Sequence, residues 1–129
     1  MTDTELRSLC SRFLDAIETQ DFDTVADLYH PELRFWVNLT GSELSRDESL
    51  AVLRDGAGRH RRRTYDDRTI DTFDSGFLAQ YTCSVVTHDG TRTALWACLV
   101  AQCRDGRILR MDEYLDSGKF GGSRREAGR

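Results

Sequence analysis

The chain lacks most of the features that announce a chemistry. Apolar residues nowhere run for the roughly 18 positions that a membrane-spanning helix needs, so no membrane partner is expected. The first ten residues, MTDTELRSLC, have no cationic start and no unbroken apolar stretch, which reads as a cytoplasmic protein rather than an exported one. The four cysteines, Cys10, Cys83, Cys98 and Cys103, include no C-x-x-C pair and no histidine at metal-ligand spacing, so no metal site is expected. They read as free thiols acting as small hydrophobes. No glycine-rich phosphate loop is present and no serine sits in a nucleophile elbow, so no cofactor is expected. Positive charge is not in excess: 18 Lys and Arg face 22 Asp and Glu, and a net charge of −4 argues against nucleic acid. The one basic run, RHRRR at 59–63, is followed at once by acidic residues and reads as a solvated loop with local ion pairs. His60, inside this run, could gate the mouth of a pocket or simply be exposed, and His30 and His88 fall in expected loops with no visible partner for a catalytic pair.

What is present is periodicity. A chain of 129 residues fits one domain with a single core. Residues 2–19 predict an amphipathic helix, in which Thr2 and Glu5 form a capping box and Leu6, Leu9, Phe13 and Ile17 recur at helical spacing. A short helix is expected over 23–29, ending at His30 before Pro31. ELRFWVNL (32–39) reads as a strand, and Ser45 with Glu48 opens a third helix that stops at DGAG. From about residue 64 the period becomes two. Four strands follow, at 64–73, 76–87, 92–103 and 107–116, joined by DSG, HDG and RDG turns. This order predicts an α+β fold with helices on one face of a curved antiparallel sheet. The third of these strands is apolar on both sides, Leu95, Leu99 and Cys103 alternating with Trp96, Cys98 and Val100. Helices can cover one side; a second copy of the chain is expected on the other, giving a homodimer through the sheet. The glycine-rich, charged tail 119–129 reads as disordered.

The last strand, RILRMDEYLD, poses the main question. Alternation puts Leu109, Met111, Glu113 and Leu115 on one face and Ile108, Arg110, Asp112 and Tyr114 on the other. A carboxylate thus lies among apolar neighbours. Glu113 is either a pocket acid whose desolvation suits it to proton transfer, or a structural carboxylate paired with an arginine or reaching water at the strand end. Asp112 and Asp116 read as exposed carboxylates.

Two stretches, FLDAIETQDFDTVADLYHPELRFW (13–36) and DGRILRMDEYLD (105–116), in this order with strands between, resemble the nuclear-transport-factor-2-like superfamily. The likeness is to its SnoaL-like (polyketide-cyclase-like) and limonene-epoxide-hydrolase-like branches and spans about residues 4–118. It implies a cone-shaped α+β domain over residues 1–118, with N-terminal helices folded over a strongly curved mixed, mainly antiparallel sheet around a deep apolar pocket. It also implies a dimer through the outer sheet face. By the same resemblance Glu113, in EYLD, takes the position of the epoxide hydrolases' acid. Their Arg-x-Asp pair is replaced by Gln80 and Thr82. Their water-holding Tyr and Asn fall at Trp36 and Asn38 if one extra residue is allowed, and at Phe35 and Val37 otherwise. The ketosteroid isomerases' base Asp has Asn38 in its place, and an amide cannot act as a base.

The implied function is a small-molecule pocket protein: a cofactor-independent acid/base enzyme (isomerase, cyclase, dehydratase or hydrolase) on an apolar cyclic substrate. The alternative is a non-catalytic ligand-binding or dimerisation module. Glu113 and Asn38 are the candidate catalytic residues, although Asn38 could equally satisfy backbone at a sheet edge. Candidate substrate contacts are Trp36, Tyr65, Gln80, Thr82, Trp96 and Met111. Each has a plainer reading, as core for the aromatics and as a solvated face for Gln80, Thr82 and Ser84.

Overall fold

Two capping boxes fix where the long helices begin. In the computed structural model, which describes residues 1–116, the Thr2 hydroxyl accepts from Glu5 N and the Glu5 carboxylate accepts from Thr2 N at 2.8 Å. Helix α1 (Asp3–Glu18) follows, burying Leu6, Leu9, Cys10, Phe13, Leu14 and Ile17 along one stripe. Helix α2 (Phe22–Leu28) is capped by Asp21 and ends one residue earlier than the sequence suggests. Pro31 biases the chain before it towards extended backbone, and Tyr29 already opens strand β1 (Tyr29–Val37). A three-residue edge strand β2 (Glu43–Ser45), without a sequence signal, leads into α3 (Arg46–Ala57), where Ser45 and Glu48 repeat the capping box. The strands β3 (His60–Phe73), β4 (Gly76–Thr87), β5 (Arg92–Arg104) and β6 (Arg107–Leu115) form the rest. The basic run expected as a loop is therefore the start of β3, since His60, Arg62 and Arg63 pair with β4. The expected tail at 119–129 lies outside the described residues.

The six strands form one mixed sheet in the order β2-β1-β6-β5-β4-β3. All neighbours are antiparallel except β1 and β6, which run parallel. The helices pack on one face, α1 against β3 and β4 and α3 against β1. That inner face carries Leu33 of β1, Phe77, Ala79 and Tyr81 of β4, Ala97, Leu99 and Ala101 of β5, and Met111 of β6. Burying each large apolar side chain contributes roughly 1.5–3 kcal/mol. One part of the β6 reading needs correction. Cys103 pairs with Ile108 but Gln102 with Arg110, so Leu109 is an extra residue in a bulge. Ile108 and Met111 are both wholly buried on the inner face, and Leu109 is half-exposed. Beyond the bulge the expected alternation holds. Among the described residues no helix is long and apolar enough to cross a membrane.

Candidate functional site

Past the bulge, Met111, Glu113 and Leu115 face the helices. Glu113 stands level with Val37 of β1 on one side and Leu99 of β5 on the other. Its partner comes from further away. Tyr81 lies on β4, two strands and about 10 Å across the sheet, and its direct neighbour on β5 is Ala97. The small Ala97 side chain lets the phenol lie over β5, and Tyr81 Oη donates to Glu113 Oε2 at 2.5 Å. Tyr65 of β3 packs edge-on against the Tyr81 ring, with centroids 5.0 Å apart and planes at 68°. Arg63 follows two residues before Tyr65 on the same face of β3, hydrogen-bonds the Tyr65 side chain, and acts electrostatically on Glu113. Three strands thus bring a carboxyl, two phenols and a guanidinium onto the inner face of the sheet.

The electrostatics follow from enclosure. Burial raises the Glu113 carboxyl above its ordinary 4.5, and the Tyr81 hydrogen bond and the Arg63 charge pull it back in part. Glu113 nonetheless keeps intermediate exposure. Burial, with the Glu113 charge second, pushes Tyr81 well above its ordinary 10, so the phenol remains a donor. Burial raises Tyr65 as well, and Arg63 opposes the rise. The Cys83 thiol, on the same face, is pushed up to about 11 by burial, which leaves it protonated and a poor nucleophile at neutral pH. Burial thus favours the protonated form of Glu113 more than in an exposed glutamate, and the cluster could pass that proton to a ligand atom and take it back. Among the described residues no group of three His, Cys, Asp or Glu stands close enough to hold a metal ion.

Of the residues singled out in the sequence, the structure brings Glu113, Tyr65 and Met111 to the inner face. Met111 is wholly buried in the core cluster. Trp36, Gln80, Thr82 and Trp96 are elsewhere. Since Phe77, Ala79 and Tyr81 point inward, period two puts Gln80 and Thr82 on the outer face, and the β5 register puts Trp96 there beside Thr82. Trp36 is also outer, its ring edge-on to Tyr114 at 5.3 Å. Phe35, not Trp36, packs against the core, and Val37 pairs with Glu113. Asn38 lies just beyond β1. Its Nδ2 donates to Leu115 O at 3.1 Å and its Oδ1 accepts from Leu115 N at 2.9 Å, so its amide extends the pairing of β1 with β6. Arg110 pairs with Glu43 and Asp112 rather than with Glu113.

Tyr81 and Arg63 are the two members that sequence reasoning passed over. Tyr81 has a signal in retrospect: once Phe77 and Ala79 are taken inward, period two brings Tyr81 and Cys83 with them. Arg63 has almost none, because its neighbours Arg61 and Arg62 are exposed and the run looks like a solvated loop.

Comparison with known proteins gives the same fold. The profile of the SnoaL-like domain matches residues 10–111. No curated protein sequence matches the chain. An LEH-like epoxide hydrolase from M. tuberculosis superimposes with a TM-score of 0.79 at 24% identity, covering 93% of this chain and 89% of that one. A candidate polyketide cyclase from Xanthomonas campestris gives 0.83 at 18% identity, covering 91% and 94%. A candidate SnoaL-like polyketide cyclase from Shewanella putrefaciens gives 0.83 at 11% identity over the whole of both chains. At such identities the likeness is one of fold, and the chemistry rests on the residues above.

Proposed function

The chain belongs to the SnoaL-like family, and from that premise we propose that it is a cofactor-independent acid/base enzyme acting on an apolar, cyclic small molecule, with Glu113 as the group that moves the proton. The observation that carries this reading is the short hydrogen bond from Tyr81 to Glu113 on the inner face. A carboxyl raised by burial and held in one orientation by a phenol is suited to general acid and base work. As the acid, Glu113 donates its proton to a ligand oxygen and becomes a carboxylate that Tyr81 stabilises. As the base, it takes a proton from carbon or from an attacking water. The solved relatives described as epoxide hydrolase and polyketide cyclase use the same fold, which supports both directions. The ligand is apolar because the part-buried surface around Glu113 is supplied by Phe35, Val37 and Leu115. Asn38 serves as a positioning residue, fixing Leu115 and with it the end of the strand that carries Glu113. Trp36, Gln80, Thr82 and Trp96 serve the outer face, where a second copy of the chain docks.

The test is turnover of a terpene-type epoxide, a cyclic β,γ-unsaturated ketone and a polyketide-like ester by the wild type and by Glu113→Gln. Wild-type turnover of one of them, reduced about 10²–10⁴-fold in the variant, is the expected result. Full activity in Glu113→Gln would remove the acid/base role. Tight binding across the panel without turnover would leave a ligand-binding module instead.

A further inference from the structure

A second polar feature lies beside the Glu113 cluster, at the start of β3. Arg63 and His60 line a cavity of about 10 Å³ closed by the ends of α1 and α3 and the start of α2, with Glu18, Phe22 and Leu53 among its walls. That is room for about one oxygen atom. Both ring nitrogens of His60 and Nε of Arg63 are buried and without a hydrogen-bond partner. Arg63 also has no carboxylate in ion-pair distance among the described residues; it hydrogen-bonds the Tyr65 side chain, and its charge acts on Cys83 and Glu113 from further off. The carboxylate that shares the cavity is already engaged. Glu18 Oε2 accepts from Tyr65 N at 2.5 Å and its Oε1 lies 3.2 Å from Arg68 Nη2. The last turn of α3 approaches the guanidinium, since a Cβ on Gly56 would stand 3.9 Å from Nη2. The negative end of that helix offsets the buried charge only in part. A largely buried guanidinium with an unused N–H costs several kcal/mol in lost hydration until an anion meets it.

We propose that this cavity receives one oxygen of a carboxylate on an otherwise apolar ligand, that oxygen accepting from Arg63 Nε with His60 as its second partner. The proposal rests on the reading of the inner face as a small-molecule site and narrows the substrate class to carboxylic acids. A neutral carbonyl would satisfy the N–H but leave the guanidinium charge unmatched. Two electrostatic consequences follow. The groups that face His60 are Arg63 on its own strand, His88 from the β4–β5 turn and Glu18 from α1, and α3 offers only apolar walls at Leu53 and Ala57. Burial first, then Arg63 and His88, hold the imidazole below its ordinary 6.5. A bound carboxylate opposes the Arg63 charge and raises His60. It also cancels the Arg63 charge that lowers Glu113, so Glu113 keeps its proton more firmly while the ligand is bound. Binding therefore takes up protons.

The test compares cyclohexanecarboxylate with the isosteric cyclohexanecarboxamide on the full chain, by calorimetry in two buffers and by NMR of the His60 imidazole. The acid is expected to bind at least about tenfold more tightly than the amide, to take up protons, and to raise the His60 titration. Arg63→Gln is expected to erase the preference. Glu113→Gln, which disables proton transfer, is expected to keep it, so failure of the subsite and failure of the acid/base reading are told apart. Equal affinity for acid and amide, no binding of either, an unmoved His60 resonance, or a folded Arg63→Gln that still prefers the acid would each overturn the subsite. The wild-type comparison decides the matter should Arg63→Gln fail to fold, and His60→Phe, expected to lower the preference and the proton uptake, supplies a second variant.

Discussion

Glu113 is charged at a thermodynamic disadvantage, and the disadvantage has a pH signature. Its folded pKa lies above its ordinary 4.5, so between those values the folded state binds more protons than the unfolded chain. Its contribution to stability is therefore fully present in acid and is lost as pH rises through the folded value. Glu113→Gln keeps an acceptor for Tyr81 Oη but cannot ionise. It is expected to melt above the wild type in neutral and alkaline buffer, and the gain should vanish at and below about pH 4.5. Thermal unfolding across a pH series checks this, and a gain independent of pH would contradict it. Asn38 separates two roles at the same scale. Asn38→Ala removes two hydrogen bonds to the Leu115 backbone, each worth about 0.5–1.5 kcal/mol. A loss of roughly 1–3 kcal/mol in urea unfolding is expected, with turnover falling only as far as Glu113 shifts with its strand. A large loss of turnover without a loss of stability would instead make Asn38 a member of the reacting group.

At the scale of elements, what was legible depended on punctuation and on period. The bounds of β4 and β6 could be read because glycine turns flank them: Asp105 and Gly106, both at positive φ, make the β5–β6 turn that RDG suggests. The helix starts were legible through their capping boxes. The start of β3 was not, because three arginines in a row hide an alternation in which Arg63 alone turns inward. Nor was the orientation of β4, where both faces carry groups that could line a pocket and only the docking of α1 decides between Tyr81 and Gln80. Glu113 could be found from one strand; its partner could not, because Tyr81 reaches it across two strands. The β4–β5 pairing also hinges on Gly76. A Cβ there would stand 1.8 Å from Ala101 O and 2.8 Å from its carbonyl carbon, both backbone atoms that cannot yield without parting the strands. Gly76→Ala is expected to lower stability by about 3 kcal/mol or more. Gly90→Ala, at positive φ in open space, should cost only about 1 kcal/mol. Urea unfolding of the two variants side by side checks the contrast, and equal losses would count against it.

The whole molecule has a second face that the helices do not cover. On the outer side of β5 and β6, Trp96 is 59% and Tyr114 47% exposed, and they flank a shallow groove of about 350 Å³ with Cys98 and Gln80. Trp36 extends the patch from β1 through its contact with Tyr114. Aromatic groups in a contiguous exposed patch are the composition of an interface core, and a sheet face of this kind is self-complementary about a two-fold axis. A stable pair needs roughly 800 Å² buried on each partner, and the faces of β4, β5 and β6 together can supply an area of that order. Light scattering coupled to size exclusion is expected to report a dimer for the wild type. The double variant Trp96→Glu/Tyr114→Glu should shift it to a monomer, because opposed carboxylates replace the aromatic contact. Because Glu113 and Tyr81 lie on the opposite face, their hydrogen bond and the preference for a carboxylate should survive that shift. A wild type that stays monomeric on concentration, or a double variant that remains dimeric, would assign the outer face to something other than a second copy.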